Sequence, residues 1–371
     1  MLKEIFKFLL FTSPVVLIRF IFNIVFVKLL LDQNNGLNLL ANFNKESATA
    51  NSYFLFSTFS LGSYFVFRGL RSDTSCKRNR LLRIGLYSVV SKLLLVVVVL
   101  LILNYLFRYS EYSFIKTFVW VLFIVGSFIS HFYTNQNNVN GLYILNNKIT
   151  FLNFIVLFIS LLLFFLIPSL YVVYIVLILL SVFPVFFALF FDRRQLSVIV
   201  VEMKCGLFAK LKFTNLKESF VNGFWITISS FTPIFFYYYF SEIFCGLVLF
   251  NSADFEVAYR IFSIVVSFVS FMTMSLIIPR WHTNSLELPN FLILIATPFI
   301  FTFASIIYFF LVDYEVQLGL GLIVMLFLMS FKVLQTFYLN IYYAQNNMKF
   351  YKILLSIDIG LILLFYVSKI G

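Results

Sequence analysis

The chain has 371 residues, of which 62% are apolar and only 11% charged, with a net charge of +12 and a mean hydropathy of +1.01. Soluble domains carry roughly 25% charged residues, so this composition excludes an ordinary water-soluble globule. In lipid every backbone N–H and C=O must be satisfied internally, leaving helices or a closed barrel. Barrel strands read as alternating stretches of about ten residues, whereas the apolar runs here reach the roughly 20 residues that a helix needs to cross a bilayer.

The predicted fold class is therefore all-α: a polytopic membrane protein with about eleven transmembrane helices, or twelve, to which the basic connection, internal echo and buried charges described below add two pseudo-repeated lobes around a central cavity. In chain order the expected spans are 5–31, 48–69, 81–107, 113–133, 151–169, 171–191, 220–240, 255–278, 289–312, 318–343 and 350–368. Lys3 and Lys7 precede the first run as in a signal peptide, but the run continues to Leu31 without a small-residue cleavage site, which predicts a retained helix. The fifth and sixth spans are separated by little more than Pro168 and Ser169, a tight hairpin. The longest outer loop is expected at 32–47.

Lysine and arginine in the loops set the orientation. The loop after the second span holds Arg71, Lys77, Arg78 and Arg80, and the one after the sixth holds Arg193, Arg194, Lys204, Lys210, Lys212 and Lys217. The opposite loops hold Glu111, Glu242, Asp254, Asp313 and Glu315. The positive-inside rule then places the N-terminus in the cytoplasm, explains the net charge and leaves no role for nucleic acid. Cys76, Cys205 and Cys245 form no disulfide framework or metal spacing.

The basic connection at 192–219 divides the chain into an N-terminal six-helix lobe, 1–191, and a C-terminal five-helix lobe, 220–371. An internal echo fits this division: Tyr143-Ile144-Leu145-Asn146-Asn147-Lys148 precedes the fifth span, and Tyr343-Ala344-Gln345-Asn346-Asn347-Met348-Lys349 precedes the eleventh. Pro14 and Pro233 interrupt the first helix of each half, as breaks in moving helices do, although packing relieves such kinks too.

Three stretches resemble the lipid-linked oligosaccharide flippases of bacterial surface polysaccharide synthesis (the O-antigen flippase, or Wzx, family), within the multidrug/oligosaccharidyl-lipid/polysaccharide exporter superfamily. They are 36–71, with Ser60-Leu61-Gly62 and Phe67-Arg68-Gly69; 250–281, with Ala258-Tyr259-Arg260 and Pro279; and the junction 137–151. Together they cover about a quarter of the chain. The chain departs from the family in having eleven spans instead of twelve and no acidic residue in the body of the seventh. The resemblance implies an inner-membrane flippase for an undecaprenyl-diphosphate-linked glycan, with membrane lipids around it and a polysaccharide polymerase and chain-length regulator as partners.

Charges inside apolar spans usually face an interior or a water-filled cavity, because exposing one at mid-bilayer costs roughly 3 kcal/mol. Arg19, Lys92, Arg260 and Lys332 are the candidate cations of a substrate cavity that accepts an anionic head group. Arg260 opens a stripe with Ser263, Ser267 and Ser270, and an alternative reading lets it snorkel to the outer end. Asp358 is the candidate coupling residue, or the ion-pair partner of Lys332. No catalytic constellation, cofactor motif or metal spacing is found; His131 and His282 fall at cytoplasmic helix ends. A membrane polymerase or ligase would carry a large charged outer loop, and a drug exporter of the same superfamily a more acidic cavity; neither fits the pattern read here.

The orientation has a direct test. Reporter fusions after Arg80 and Lys212 are expected to report cytoplasm, and fusions after Asn44 and Tyr314 periplasm.

Overall fold

Glycine opens the second helix for a steric reason. The first helix, α1 (Phe20–Leu31), ends in a turn in which the Asp32 amide donates to the Lys28 carbonyl at 2.9 Å and the Gln33 amide to Leu30 at 3.1 Å. Asn35 takes a positive φ of 110°, a region that asparagine tolerates better than most residues. The chain then starts α2 (Gly36–Thr58) so close to the end of α1 that a Cβ at Gly36 would lie 1.9 Å from the Leu30 carbonyl oxygen. Only glycine fits there.

The structure, a computed structural model, describes residues 20–58, 114–139, 170–191, 252–272, 290–315, 320–344 and 348–370, with scattered helical positions within 92–102, 149–167, 193–204 and 225–237. Among the described residues there are helices and no strands, as the hydropathy pattern predicts. After α2 follow α3 (Phe114–Val139), α4 (Leu170–Phe191), α5 (Ser252–Met272), α6 (Asn290–Leu311), α7 (Leu320–Ala344) and α8 (Met348–Ile370). Most boundaries fall within a few residues of the expected spans. One stretch among the described residues, Leu320–Tyr342, is long and apolar enough by itself to cross a membrane.

The expected outer loop at 32–47 is corrected. It shrinks to the turn around residues 32–35, and residues 36–47 belong to α2. Asn38, Asn42, Asn44, Lys45 and Glu46 lower the hydropathy of this stretch, which made it read as a loop. Yet Leu40, Phe43 and Asn44 are buried, and tertiary packing of such a face outweighs a poor local signal.

The chain divides into two compact units: Met1–Lys45 with Thr232–Gly371, and Glu46–Phe231. One boundary thus falls inside α2. In the first unit α7 packs against α5, α6 and α8, burying Met325, Leu326, Met329 and Val333 while Leu320, Val324, Leu328 and Phe331 face outward. The outward face of α6 carries Phe299, Ile300, Phe303, Ile307 and Phe310, the last 86% exposed. Continuous apolar faces of this kind are unfavourable in water.

The end of α6 is closed by a left-handed cap. The Tyr314 amide donates to the Phe309 carbonyl at 3.1 Å and the Asp313 amide to Phe310 at 3.2 Å. Asp313 has a φ of 60°, and the rings of Phe309 and Tyr314 meet at 5.9 Å. Those are the paired bonds and the hydrophobic contact of a Schellman motif.

In the second unit α3 packs on α4. Gly126 sits against the Ser181 backbone, with a hypothetical Cβ 3.0 Å from its carbonyl carbon and oxygen, so a small residue permits close helix approach. Trp120 donates its indole N–H to Glu46 at 3.2 Å and meets the Tyr53 ring at 5.1 Å. Lengthening the residue at the α1–α2 turn has a clear expected outcome. Gly36→Ala forces backbone against backbone, so detergent-solubilised variant is expected to melt several degrees lower and to elute with more aggregate on size-exclusion chromatography.

Candidate functional site

Glu256 and Arg260 stand four residues apart on α5 and therefore share a helix face. α2 brings Asn44 to that face, and its side-chain amide donates to Glu256 Oε2 at 2.6 Å and to the Glu256 backbone carbonyl at 3.2 Å. Tyr237 donates its hydroxyl to Glu256 Oε1 at 3.1 Å, with the Ala41 carbonyl oxygen 3.4 Å from the same hydroxyl. One carboxylate thus gathers donors from two segments remote from each other in the chain. All three side chains are buried.

Arg260 is held by aromatic faces. Its guanidinium carbon lies 4.4 Å from the Phe43 ring centroid and 5.6 Å from that of Phe26, the geometry of a desolvated cation–π contact. The side chain is folded into an aromatic cluster: Tyr237 meets Tyr259 at 4.6 Å, and Tyr259 meets Phe262 at 5.8 Å. Ser263 donates its hydroxyl back to the Arg260 carbonyl at 3.0 Å. Three buried polar atoms here have no hydrogen-bond partner: Arg260 Nε, Asn44 Oδ1 and the Tyr308 hydroxyl.

The second polar centre joins α7 to α8. Lys332 Nζ lies 2.5 Å from Asp358 Oδ2, with both side chains at most 10% exposed. Lys332 also donates to Gln335 Oε1 at 2.8 Å, and Gln335 Nε2 donates to the Leu354 carbonyl on α8 at 2.8 Å. The alternative reading of Lys332, as the partner of Asp358, describes this geometry.

At the rim of the first unit Tyr314 donates its hydroxyl to Asp254 Oδ1 at 3.0 Å. Burial pushes the Asp254 carboxyl up from its ordinary value, opposed by the bond from Tyr314. Burial likewise raises the Tyr314 phenol, and the neighbouring carboxylate adds to the effect. Lys28 and Asp313 form an exposed pair at 3.4 Å, a geometry that contributes little to stability.

Of the residues expected from sequence, Arg260, Lys332 and Asp358 lie in the first unit and the half-buried Lys92 in the second. Arg19, Pro14, Pro233 and His282 lie outside the described residues. His131 packs its ring edgewise on Phe54 at 5.5 Å. Sequence reasoning passed over Asn44, Tyr237 and Glu256. A carboxylate four residues before an arginine on one helix was the available signal for Glu256. Comparison with protein-family models, curated proteins and solved structures returns no match.

Removing one partner of a buried pair leaves an uncompensated charge, at a cost of about 3–5 kcal/mol. Asp358→Asn is expected to lower stability by that amount in denaturant titrations of the purified protein. The double change Lys332→Met with Asp358→Leu is expected to recover most of it.

Proposed function

We propose that the chain is a multi-pass protein of the bacterial inner membrane that flips an undecaprenyl-diphosphate-linked oligosaccharide, an O-antigen or other surface polysaccharide repeat unit, from the cytoplasmic to the periplasmic leaflet. The observation that carries this reading is the inversion of an aqueous protein's layout. Phenylalanine, leucine and isoleucine cover the outward helix faces, while Glu256, Arg260, Lys332 and Asp358 lie inside. A bilayer is the solvent that favours such a layout, and charges retained within it usually mark a pathway.

The resemblance of 36–71, 137–151 and 250–281 to O-antigen flippases supplies the cargo, and the loop cations supply the cytoplasmic N-terminus. In this reading two lobes, 1–191 and 220–371, flank a central cavity joined through the basic connection 192–219. A diphosphate leaving water needs nearby cations, and several dispersed ones permit release better than one tight clamp. Arginine's planar fork suits phosphate oxygens, while lysine acts as a point charge. Arg19 is the first such cation, with Lys92, Arg260 and Lys332 adding positive charge, and Asp358 holds Lys332 or carries a coupling proton. No bond is made or broken, so the protein acts as a transporter and needs no cofactor. The short turn at 32–35 weighs against a polymerase or ligase, which would be expected to carry a large charged outer loop.

Surface display tests the cargo. Arg19→Ala is expected to lower surface polysaccharide severely at normal protein abundance, and Arg19→Lys to retain part of it. Unchanged display and glycan length in Arg19→Ala at equal protein level would remove Arg19 from the pathway.

A further inference from the structure

The groups around Glu256 make up a donor set suited to an anion larger than a carboxylate. Asn44 Nδ2 and the Tyr237 hydroxyl donate to its two oxygens at 2.6 and 3.1 Å. The Arg260 guanidinium, one helical turn along α5, is held against Phe43 at 4.4 Å and Phe26 at 5.6 Å. Its Nε–H has no hydrogen-bond partner, and neither has the hydroxyl of the buried Tyr308. Tyr308 is close enough to Arg260 for the two to interact electrostatically, so more donors lie around Arg260 and Glu256 than the two that the carboxylate engages.

Glu256 is an expensive residue for mere packing. Burying a carboxylate costs several kcal/mol, and apolar side chains of similar volume often serve a protein interior as well or better. What a carboxylate offers is a negative charge that can leave. Side chains on a helix lean toward its N-terminus, and Glu256 lies in the first turns of α5, which starts at Ser252. Clearing the donors needs only rotation about the Glu256 side-chain bonds, close to the helix start, and no movement of the backbone.

We propose that Glu256 is an internal stand-in for an anionic ligand: its carboxylate occupies a site formed by Asn44, Tyr237, Arg260 and Tyr308 that a phosphate group takes when Glu256 swings away. The contact is autoinhibitory. With the carboxylate in place Asn44 and Tyr237 are engaged and the Arg260 charge is offset, so a phosphate has to displace the carboxylate to reach them. Arginine and amide N–H donors suit phosphate oxygens, and a monoanionic carboxylate is outmatched by a more highly charged phosphate or diphosphate. The identity of the phosphate carrier, a lipid diphosphate, rests on the flippase reading; the displacement itself does not.

Calorimetric titration of the purified full-length protein with inorganic pyrophosphate tests it. Glu256→Gln keeps the shape and removes the charge, and Glu256→Ala also vacates the space. Removal of like-charge competition is expected to tighten pyrophosphate binding about tenfold or more in at least one of them. Adding Arg260→Ala is expected to abolish the gain. If neither variant binds more tightly than wild type, or the gain survives Arg260→Ala, the proposal is overturned. A second arm repeats the titration in nanodiscs containing a polyprenyl diphosphate. Competition by that lipid identifies a membrane source. A pyrophosphate gain without lipid competition keeps the site but separates it from the flippase reading, which stands or falls on polysaccharide display.

Discussion

A charge inside an apolar helix bundle has to be neutralised within reach of its own side chain, and that constraint shapes the first unit. Lys332 and Asp358 meet across α7 and α8, and Gln335 completes the set by bonding the lysine on one side and the Leu354 carbonyl on the other. The second centre is less symmetrical. Glu256 receives two side-chain donors, while Arg260 one turn away leans on aromatic faces. In a low-dielectric interior each polar arrangement is strong when complete and costly when broken. The two centres therefore fix which helices meet and in what register, a specification that the uniformly apolar contacts around them supply poorly.

The path of α2 follows from its first residue. Gly36 lets the helix begin against the end of α1, and two helical turns later Asn44 arrives over Glu256. A larger residue at the turn would displace the start of the helix and with it the only amide that contacts Oε2 among the described residues. The cap of α6 has the same logic. Asp313 in the left-handed region turns the chain so that the Tyr314 ring covers Phe309 and its hydroxyl reaches Asp254. In both places a local backbone requirement at a helix end delivers a polar side chain to α5.

Much of this was legible in the sequence. Helix identity and most boundaries followed from apolar runs of bilayer length, and Arg260, Lys332 and Asp358 were visible because a charge in such a run has few bland explanations. The pairing of Lys332 with Asp358 was open as an alternative, since spacing within one helix says little about which neighbour a residue meets. Asn44 and Tyr237 were hidden for that same reason: their roles arise from contacts between separate segments, 212 residues apart for Asn44 and Glu256 and 19 for Tyr237 and Glu256. Glu256 was hidden by its place near the rim, where a carboxylate ordinarily faces water. The stretch 36–47 misled because hydropathy averages over both helix faces, whereas packing uses only one.

The two centres also change how the excess of cations is to be weighed. Four cations in apolar spans suggested a broadly positive interior, yet Lys332 has Asp358 against it and Arg260 has Glu256 one turn away. A neutralised cation attracts a distant anion weakly, because at the separations involved the pair presents a dipole in place of a charge. It can still bind an anion that displaces its partner at contact range. On the displacement proposed at Glu256, a phosphate would bind less through a standing positive field than by exchange with an internal carboxylate. Such a scheme favours release as well as entry, since the displaced carboxylate remains tethered beside the site and competes for it continuously.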